Sequence, residues 1–257
     1  MAEISEKQEI KEVGDTLLEI AMYLLVAGAS TGRIRTTVER ISGNFSFNTY
    51  ILINQRTILL NMYDSENDCV FNGLKRTSPH HINFTMISGI SRISWFIVNE
   101  NWGIQKIREE LARVKALAHY PRLVTLILTG LAGASFCRLA GGGSLEMGVV
   151  FVASTAGLFI RQETTKLNFN PYLCIYFAAL SASAIAAGFI KLDIAKIHEP
   201  AFATSVLFLI PGVPLINAFS DLIDGNLNNG LIRGLNGFII SFSIALGLLT
   251  SMAILKF

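Results

Sequence analysis

The second half of this sequence is almost uncharged outside short turns. From residue 123 onward, apolar stretches alternate with brief polar connections. Crossing about 30 Å of hydrocarbon takes about 20 helical residues, and only the second stretch, which ends before Arg161, falls short of that length. The pattern predicts an all-α polytopic membrane domain of about five transmembrane helices. The predicted spans are residues 123–141, 145–160, 172–190, 201–220 and 234–255.

The first 120 residues have the composition of a soluble domain. Segments with apolar residues at helical spacing flank three runs of β-branched and aromatic residues, which are separated by turn residues. We expect a compact α+β domain with an antiparallel meander, large enough to hold its own core. His119-Tyr120-Pro121 marks the boundary, so the predicted domains are residues 1–120 and 121–257. The expected helices are 6–28, one that opens near Thr31, 84–98 and 103–117, and the expected strands are 45–54, 56–64 and 69–76.

The composition and the motifs exclude several classes of protein. Hydrophobic residues make up 51% of the chain and charged residues 16%, against about 25% charge in soluble domains. A net charge of +2 is too small to suggest a nucleic-acid partner. Three well-separated cysteines predict free thiols. Hydrolase, metalloprotease and phosphate-loop motifs are missing, so we expect no enzyme, no cofactor and no metal. His80-His81 is a weak metal signal, and a solvated loop explains it better.

Basic residues before the first predicted span indicate its orientation. By the positive-inside rule, they place the N-terminal domain in the cytoplasm, and we expect the chain in the cytoplasmic (inner) membrane. The loop 161–170 is then cytoplasmic, while the two lysines in the outer loop 191–199 weaken the signal. The polar N-terminus lacks the apolar core of a signal peptide, so the first span is expected to direct insertion. The basic residues are Arg108, Arg113, Lys115 and Arg122.

Small residues recur at a spacing of four along the predicted spans, as at Ala178, Ala182 and Ala186. Such stripes let membrane helices approach closely. They favour a multi-helix bundle and an oligomer, although alanine and glycine also simply suit membrane helices.

The fourth predicted span is broken near its middle by Pro211-Gly212-Val213-Pro214. Because proline has no N–H, carbonyls one turn earlier lose their helical partners. Broken helices at bilayer depth often build substrate and ion sites in transporters, so Pro211, Gly212 and Pro214 are candidate substrate-pathway residues. A proline kink with packing value alone is the competing interpretation.

Polar residues after the break extend this candidate pathway. Asn217 adds an amide, Asp221 is a candidate proton or cation site, and Arg233 either pairs with Asp221 or meets a substrate carboxylate. The alternative is that Asp221 and Asp224 lie in interfacial water and pair with Arg233. Arg138, inside the first span, either attracts an anionic substrate or extends its long stem to the interface.

Three stretches carry a resemblance to a known family. GASTGRI at residues 28–34 resembles a helix junction of the threonine/serine exporters, and HYPRLVTLILTGLAGASFCRLAGGG resembles their first span. PGVPLINAFSDLIDGNLNNGLIRG resembles their most recognisable signature. The match covers essentially the whole chain and is nearest to the smaller, YjjP-like type. It carries the signature onto Pro211, Gly212, Pro214, Asp221, Gly225, Gly230 and Arg233, while Ser220 stands where a basic residue is expected.

The resemblance implies a cytoplasmic N-terminal domain, about five spans and secondary export of small hydrophilic metabolites. Threonine, serine and succinate-like dicarboxylates are the implied cargo, and a second hydrophobic, YjjB-like membrane subunit is the implied partner. We therefore predict a subunit of a gradient-driven exporter. The rival is a membrane-anchored ligand-sensing or assembly protein whose N-terminal domain carries the function. A channel also remains open, whereas an intramembrane enzyme lacks its paired acids or its serine with a base.

Overall fold

The computed structural model describes residues 2–77, 81–117, 120–191 and 199–256. Contacts divide the chain into two compact units, one of residues 1–118 with 213–234 and one of residues 119–212 with 235–257. The segment 213–234, predicted to be part of the membrane domain, therefore groups with the N-terminal residues. Hydrogen bonds from its polar side chains to those residues account for this grouping.

The N-terminal part of the first unit is an α+β fold. Helices α1 and α2 precede a three-stranded antiparallel sheet in the order β1-β2-β3, and helices α3 and α4 follow it. The predicted meander is confirmed, with Leu52 opposite Leu59 and Leu60 opposite Gly73. The elements are α1 (Ala2–Val26), α2 (Thr31–Asn44), β1 (Asn48–Asn54), β2 (Thr57–Tyr63), β3 (Cys69–Arg76), α3 (Phe84–Glu100) and α4 (Ile104–Lys115).

The core of this unit follows from two periodicities. Alternation along β2 buries Ile58, Leu60 and Met62 on one face of the sheet, because successive strand residues point to opposite faces. Leu17 and Leu24 of α1 belong to the same fully buried cluster.

The turn between α1 and α2 is built from local signals. Gly28 has a φ of +86°; its N–H donates to the Leu25 carbonyl, and the next N–H, of Ala29, donates to Leu24. This pair of bonds is the Schellman arrangement that ends many helices. Ser30 then caps α2 by accepting from the N–H of Arg33. The predicted helix end at Gly28 and the predicted start near Thr31 are confirmed.

The second unit is helical. Four helices in the described part of the chain are long and apolar enough to cross a membrane, or five spans if a bent helix pair counts as one. The helices that follow the α+β residues are α5 (Arg122–Leu139), α6 (Ser144–Lys166), α7 (Pro171–Lys191), α8 (Glu199–Thr204), α9 (Gly212–Ile223) and α10 (Leu227–Leu255).

The second predicted span is longer than expected. Its end at residue 160 is wrong, because α6 continues through Arg161 to Lys166 and has 23 residues. Charged side chains do not end a helix when they have partners, and Glu163 pairs with both Arg122 and Lys166. This helix therefore needs no local thinning of the bilayer.

The predicted alanine stripe of α7 is buried, with Ala178, Ala182 and Ala186 at 0% exposure. A side-chain carbon added at Gly157 of α6 would lie 2.9 Å from Ala182. The backbones of α6 and α7 thus approach too closely for larger residues, as small residues in membrane helices permit.

Candidate functional site

The predicted break lies where Pro211 stands. The bent helix pair consists of Ala201–Leu209, which ends in a short 3-10 turn at Leu207–Leu209, and α9, which begins at Gly212. The two segments differ in direction by 64°. Pro214 falls in the first turn of α9, where backbone N–H groups have no intrahelical acceptor in any case. The prolines therefore start a helix as much as they interrupt one.

The carbonyls that these prolines leave without α-helical partners are bonded locally. The Leu207 carbonyl accepts from the N–H of Ile210 at 3.2 Å, and the Ile210 carbonyl accepts from the N–H of Gly212 at 2.9 Å. Both carbonyls thus have a hydrogen-bond partner within the turn. Each carbonyl oxygen keeps a second lone pair for another donor.

Asp221, near the end of α9, is fully buried, with 0% exposure. One carboxylate oxygen accepts from the Thr31 backbone N–H at 2.9 Å and the other from the Thr31 hydroxyl at 3.1 Å. Thr31 is the first residue of α2, so the carboxylate lies at the positive end of that helix. Arg233 Nη1 lies 3.2 Å from Asp221 Oδ2 and completes a buried ion pair.

Neighbouring side chains of the α9–α10 segment bond to the same junction between α1 and α2. Asn217 donates to the Gly28 carbonyl at 2.7 Å, and Arg233 Nη2 donates to the Ala29 carbonyl at 2.9 Å. Asn229 donates to the Thr31 hydroxyl at 3.2 Å and to the Ile53 carbonyl at 2.8 Å. Two motifs almost 190 residues apart in sequence therefore form one polar cluster, here called the junction cluster, of Gly28, Ala29, Thr31, Asn217, Asp221, Asn229 and Arg233.

The junction cluster brings together three of the predicted pathway residues, Asn217, Asp221 and Arg233. The interpretation in which Asp221 lies in interfacial water is wrong, because Asp221 is buried. Asp224 is exposed, and Arg233 forms its ion pair with Asp221 instead.

Arg138 belongs to the other unit. It is exposed at the end of α5 and donates to the Gly142 carbonyl at 3.2 Å, closing the glycine turn. Arg138 therefore has a structural contact within its own turn and is not a member of the junction cluster.

Sequence reasoning missed Thr31 and Asn229 as members of the cluster. Thr31 was predicted only as a helix start, and Asn229 only as part of a polar loop. Both residues lie inside the stretches that resemble the exporter family, and that resemblance was the available signal. No group of three or more His, Cys, Asp or Glu side chains in the described residues could hold a metal, and His80 lies outside those residues.

What the cluster can do chemically follows from its charges. Asp221 and Arg233 are a desolvated pair whose hydrogen bonds also fasten α9 and α10 to the start of α2. A proton on Asp221, or a competing carboxylate at Arg233, removes the charge complementarity that holds the pair. The cluster is thus suited to respond to protonation or to an anionic ligand.

These features define a multi-pass membrane protein with an α+β unit at its N-terminus and a broken helix pair before its last helix. Residues 15–255 match the model of a family described as "putative threonine/serine exporter", and the chain belongs to that family.

Two similar proteins carry a more specific description. A "probable succinate transporter subunit YjjP" of Klebsiella aerogenes is 28% identical over 252 residues, covering 96% of each chain. A protein of the same description from Escherichia coli K12 is 23% identical over 251 residues, covering 97% of each. No solved structure matches the chain.

Proposed function

We propose that this chain is a subunit of a secondary exporter that carries small hydrophilic carboxylates, either threonine and serine or succinate-like dicarboxylates, out across the inner membrane. The observation that carries the proposal is that one helix, α9, begins at a proline break and ends at a buried carboxylate–guanidinium pair. Family membership and the whole-length similarity to two transporter subunits support it. Transport is driven by an ion gradient or by the gradient of the substrate.

In this mechanism Pro211, Gly212 and Pro214 form a bend at which α9 can change direction. Asn217 offers an amide to the substrate, Arg233 attracts its carboxylate, and Asp221 takes up the coupling proton or cation. Because both charged side chains also hold α9 and α10 to the start of α2, binding at either one weakens that attachment. Arg138, at the far end of α5, draws anions toward the bundle.

The junction cluster also supports the proposed topology. The turn between α9 and α10 contacts the α1–α2 junction, so both lie on one side of the membrane. The chain must therefore cross the membrane an even number of times between residue 120 and residue 224. Helices α5, α6 and α7 supply three, and the bent pair supplies the fourth only if it spans. Five crossings in total follow, with the N-terminal domain in the cytoplasm by the positive-inside rule.

A partner is part of the proposal. The names of both relatives contain the word "subunit", and the second hydrophobic, YjjB-like membrane subunit is the candidate. Many apolar side chains on the membrane helices are exposed, among them Phe238, Phe242 and Leu249 of α10. Lipid and a partner's helices are the surfaces such side chains can meet.

The test is counterflow in proteoliposomes that contain this chain with and without the candidate partner, using labelled threonine, serine and succinate. We expect uptake of at least one of these compounds only with the partner present. The variant Pro211→Ala/Pro214→Ala should slow it at least tenfold and keep its unfolding temperature, because an alanine fits the first turn of α9. Pro171→Ala, at the start of α7, is the matched control and should transport normally.

Two outcomes oppose the proposal. Absence of movement for every compound with the partner present argues against an exporter. Normal transport by the double proline variant removes the bend from the mechanism and leaves the rival sensor or assembly role for this chain.

A further inference from the structure

A second polar site lies far along the chain from the junction cluster, where α5 begins and α6 ends. The two helix ends line an open cavity of about 440 Å³, within the size range of small-molecule sites. Its lining combines three cations with hydroxyl and amide groups and includes no carboxylate. The lining residues are Tyr120, Arg122, Thr125, Leu158, Arg161, Gln162, Thr165 and Lys166.

Two of the three cations are already compensated. Arg122 donates from Nε to the Gln162 side-chain oxygen at 2.7 Å, pairs with Glu163 and lies over the ring of Phe159. Lys166 pairs with the same Glu163 at 3.1 Å. A single carboxylate beside the cavity is thus shared by two cations and fixes both in place.

Arg161 is the cation that remains. It is half-buried, and no hydrogen bond or ion pair of its guanidinium is found within the described part of the chain. Its backbone carbonyl accepts hydrogen bonds from the hydroxyls of Thr164 and Thr165. A partly desolvated charge without a counter-ion is costly, and arginine presents a planar fork that matches carboxylate and phosphate oxygens.

We propose that this cavity binds one oxyanion group, a carboxylate or a phosphate, with Arg161 as its principal ligand. The Tyr120 hydroxyl supplies a further donor at the rim, and the charges of Arg122 and Lys166 raise the local anion concentration. The anion has two sources, the phosphate of an anionic lipid head group, for which basic pockets at helix ends are suited, and a soluble anion such as a dicarboxylate. The site goes beyond the proposed function, since it involves neither the bend nor the junction cluster.

The experiment uses the purified full chain in neutral detergent and follows its unfolding temperature during titration. The probes are a short-chain phosphatidylglycerol, a short-chain phosphatidylcholine, succinate and inorganic phosphate. A ligand that binds only the native state stabilises it by RT ln(1 + [L]/Kd), so the unfolding temperature rises with the probe concentration once this exceeds the Kd. We expect at least one anionic probe to raise the unfolding temperature in this way, and Arg161→Gln to weaken the apparent affinity of that probe by about tenfold to a hundredfold.

Arg56→Gln is the control, because Arg56 is an exposed arginine of the β1–β2 turn that belongs neither to the cavity nor to the junction cluster, and its change should leave the affinity unchanged. Arg161→Lys keeps the charge and should restore part of the binding, which separates loss of charge from loss of fold. A rise in the unfolding temperature with phosphatidylglycerol alone identifies a lipid head group, whereas a rise with succinate or phosphate identifies a soluble anion.

The proposal is overturned if no anionic probe shifts the unfolding temperature of the unmodified chain. It is equally overturned if Arg161→Gln, or Arg161→Lys where the glutamine variant does not fold, binds as tightly as the unmodified chain and the control. Neither result bears on the counterflow experiment, which depends on other residues.

Discussion

At the scale of single residues, the arrangement around Asp221 is the most consequential feature of this protein. Its carboxylate accepts two hydrogen bonds from Thr31 and pairs with Arg233 at 3.2 Å while fully buried. Buried charges persist in proteins when their partners replace water, and here two hydrogen-bond donors and one cation do so. The same contacts make Asp221 a fastening point between the ends of the sequence.

Replacing Asp221 by Asn should destabilise the protein markedly. The asparagine oxygen can still accept from Thr31, but Arg233 is left buried without a counter-charge, and breaking such a pair costs about 3–5 kcal/mol. The midpoint of thermal unfolding of the purified chain should fall accordingly. Arg233→Gln should have a similar effect, and the double variant should lose less than the two single losses together, because the pair is removed as a unit.

Asp224→Asn is the matched control for this prediction. Asp224 lies three residues further on and is exposed, so its change should stay within about 0.5 kcal/mol. Equal unfolding midpoints for the Asp221 and Asp224 variants would show that the ion pair does not contribute.

At the scale of elements, the α1–α2 turn and the start of α9 illustrate how local chemistry positions the cluster. Gly28 ends α1 in a left-handed conformation and turns its carbonyl to the amide of Asn217. Pro214 fits the first turn of α9 because N–H groups there have no intrahelical acceptor, so a residue without an N–H loses no hydrogen bond. The bounds of both elements follow from their own residues. The cluster forms between the α1–α2 turn and residues further along α9 and α10.

Gly28→Ala should lower stability by about 1–2 kcal/mol, the cost of a left-handed conformation for a residue with a side chain. The added carbon would lie 3.6 Å from Ile82, an ordinary contact, so the cost is one of backbone conformation. Gly43→Ala, in helical backbone with no atom within 4 Å of the added carbon, should be neutral or stabilising by up to about 1 kcal/mol. Thermal unfolding of both variants measures the contrast, and a smaller loss at Gly28 than at Gly43 would contradict it.

At the scale of the whole molecule, the junction cluster constrains how often the chain crosses the membrane. Among the described residues, four helices are long enough to span, and the bent pair decides between four and five crossings. Because Asp221 of α9 and Asn229 of α10 bond to Thr31 at the α1–α2 junction, we expect this part of α9 and α10 to face the same compartment as that junction. If α5, α6 and α7 each cross the bilayer, a re-entrant bent pair would separate the two, so we predict that the bent pair crosses.

Labelling with a membrane-impermeant maleimide on oriented vesicles tests this prediction. Cys69, exposed on β3, should react from the same side as a cysteine placed by Asn228→Cys in the first turn of α10. A cysteine placed by Ser144→Cys, at the α5–α6 turn, should react from the opposite side. The engineered sites are read in a Cys69→Ser background, where the buried Cys137 and Cys174 should stay unlabelled. Opposite sides for Cys69 and Asn228→Cys would mean that the bent pair does not cross.

Much of this structure was predictable because it depends on short-range properties of the chain. Alternation along Thr57–Tyr63 predicts a strand with one buried face, and Gly28 followed by Ser30 predicts a helix end and a helix start. The lengths of the apolar stretches predict membrane helices, and a resemblance spread over the whole chain predicts the family. Each of these signals lies within a few neighbouring residues or in the match itself.

The sequence by itself thus determined the elements, the apolar helices, the position of the break at Pro211 and the family. Only the tertiary structure decided that Asp221 is buried against Thr31, that Arg233 pairs with Asp221, that α6 continues to Lys166 and that the Arg161 guanidinium has no ion pair among the described residues. The physical reason is that helix and strand formation depend on neighbours along the chain. The partner of a charge depends instead on which group lies within about 4 Å after folding, and for Asp221 that group is 190 residues away in sequence.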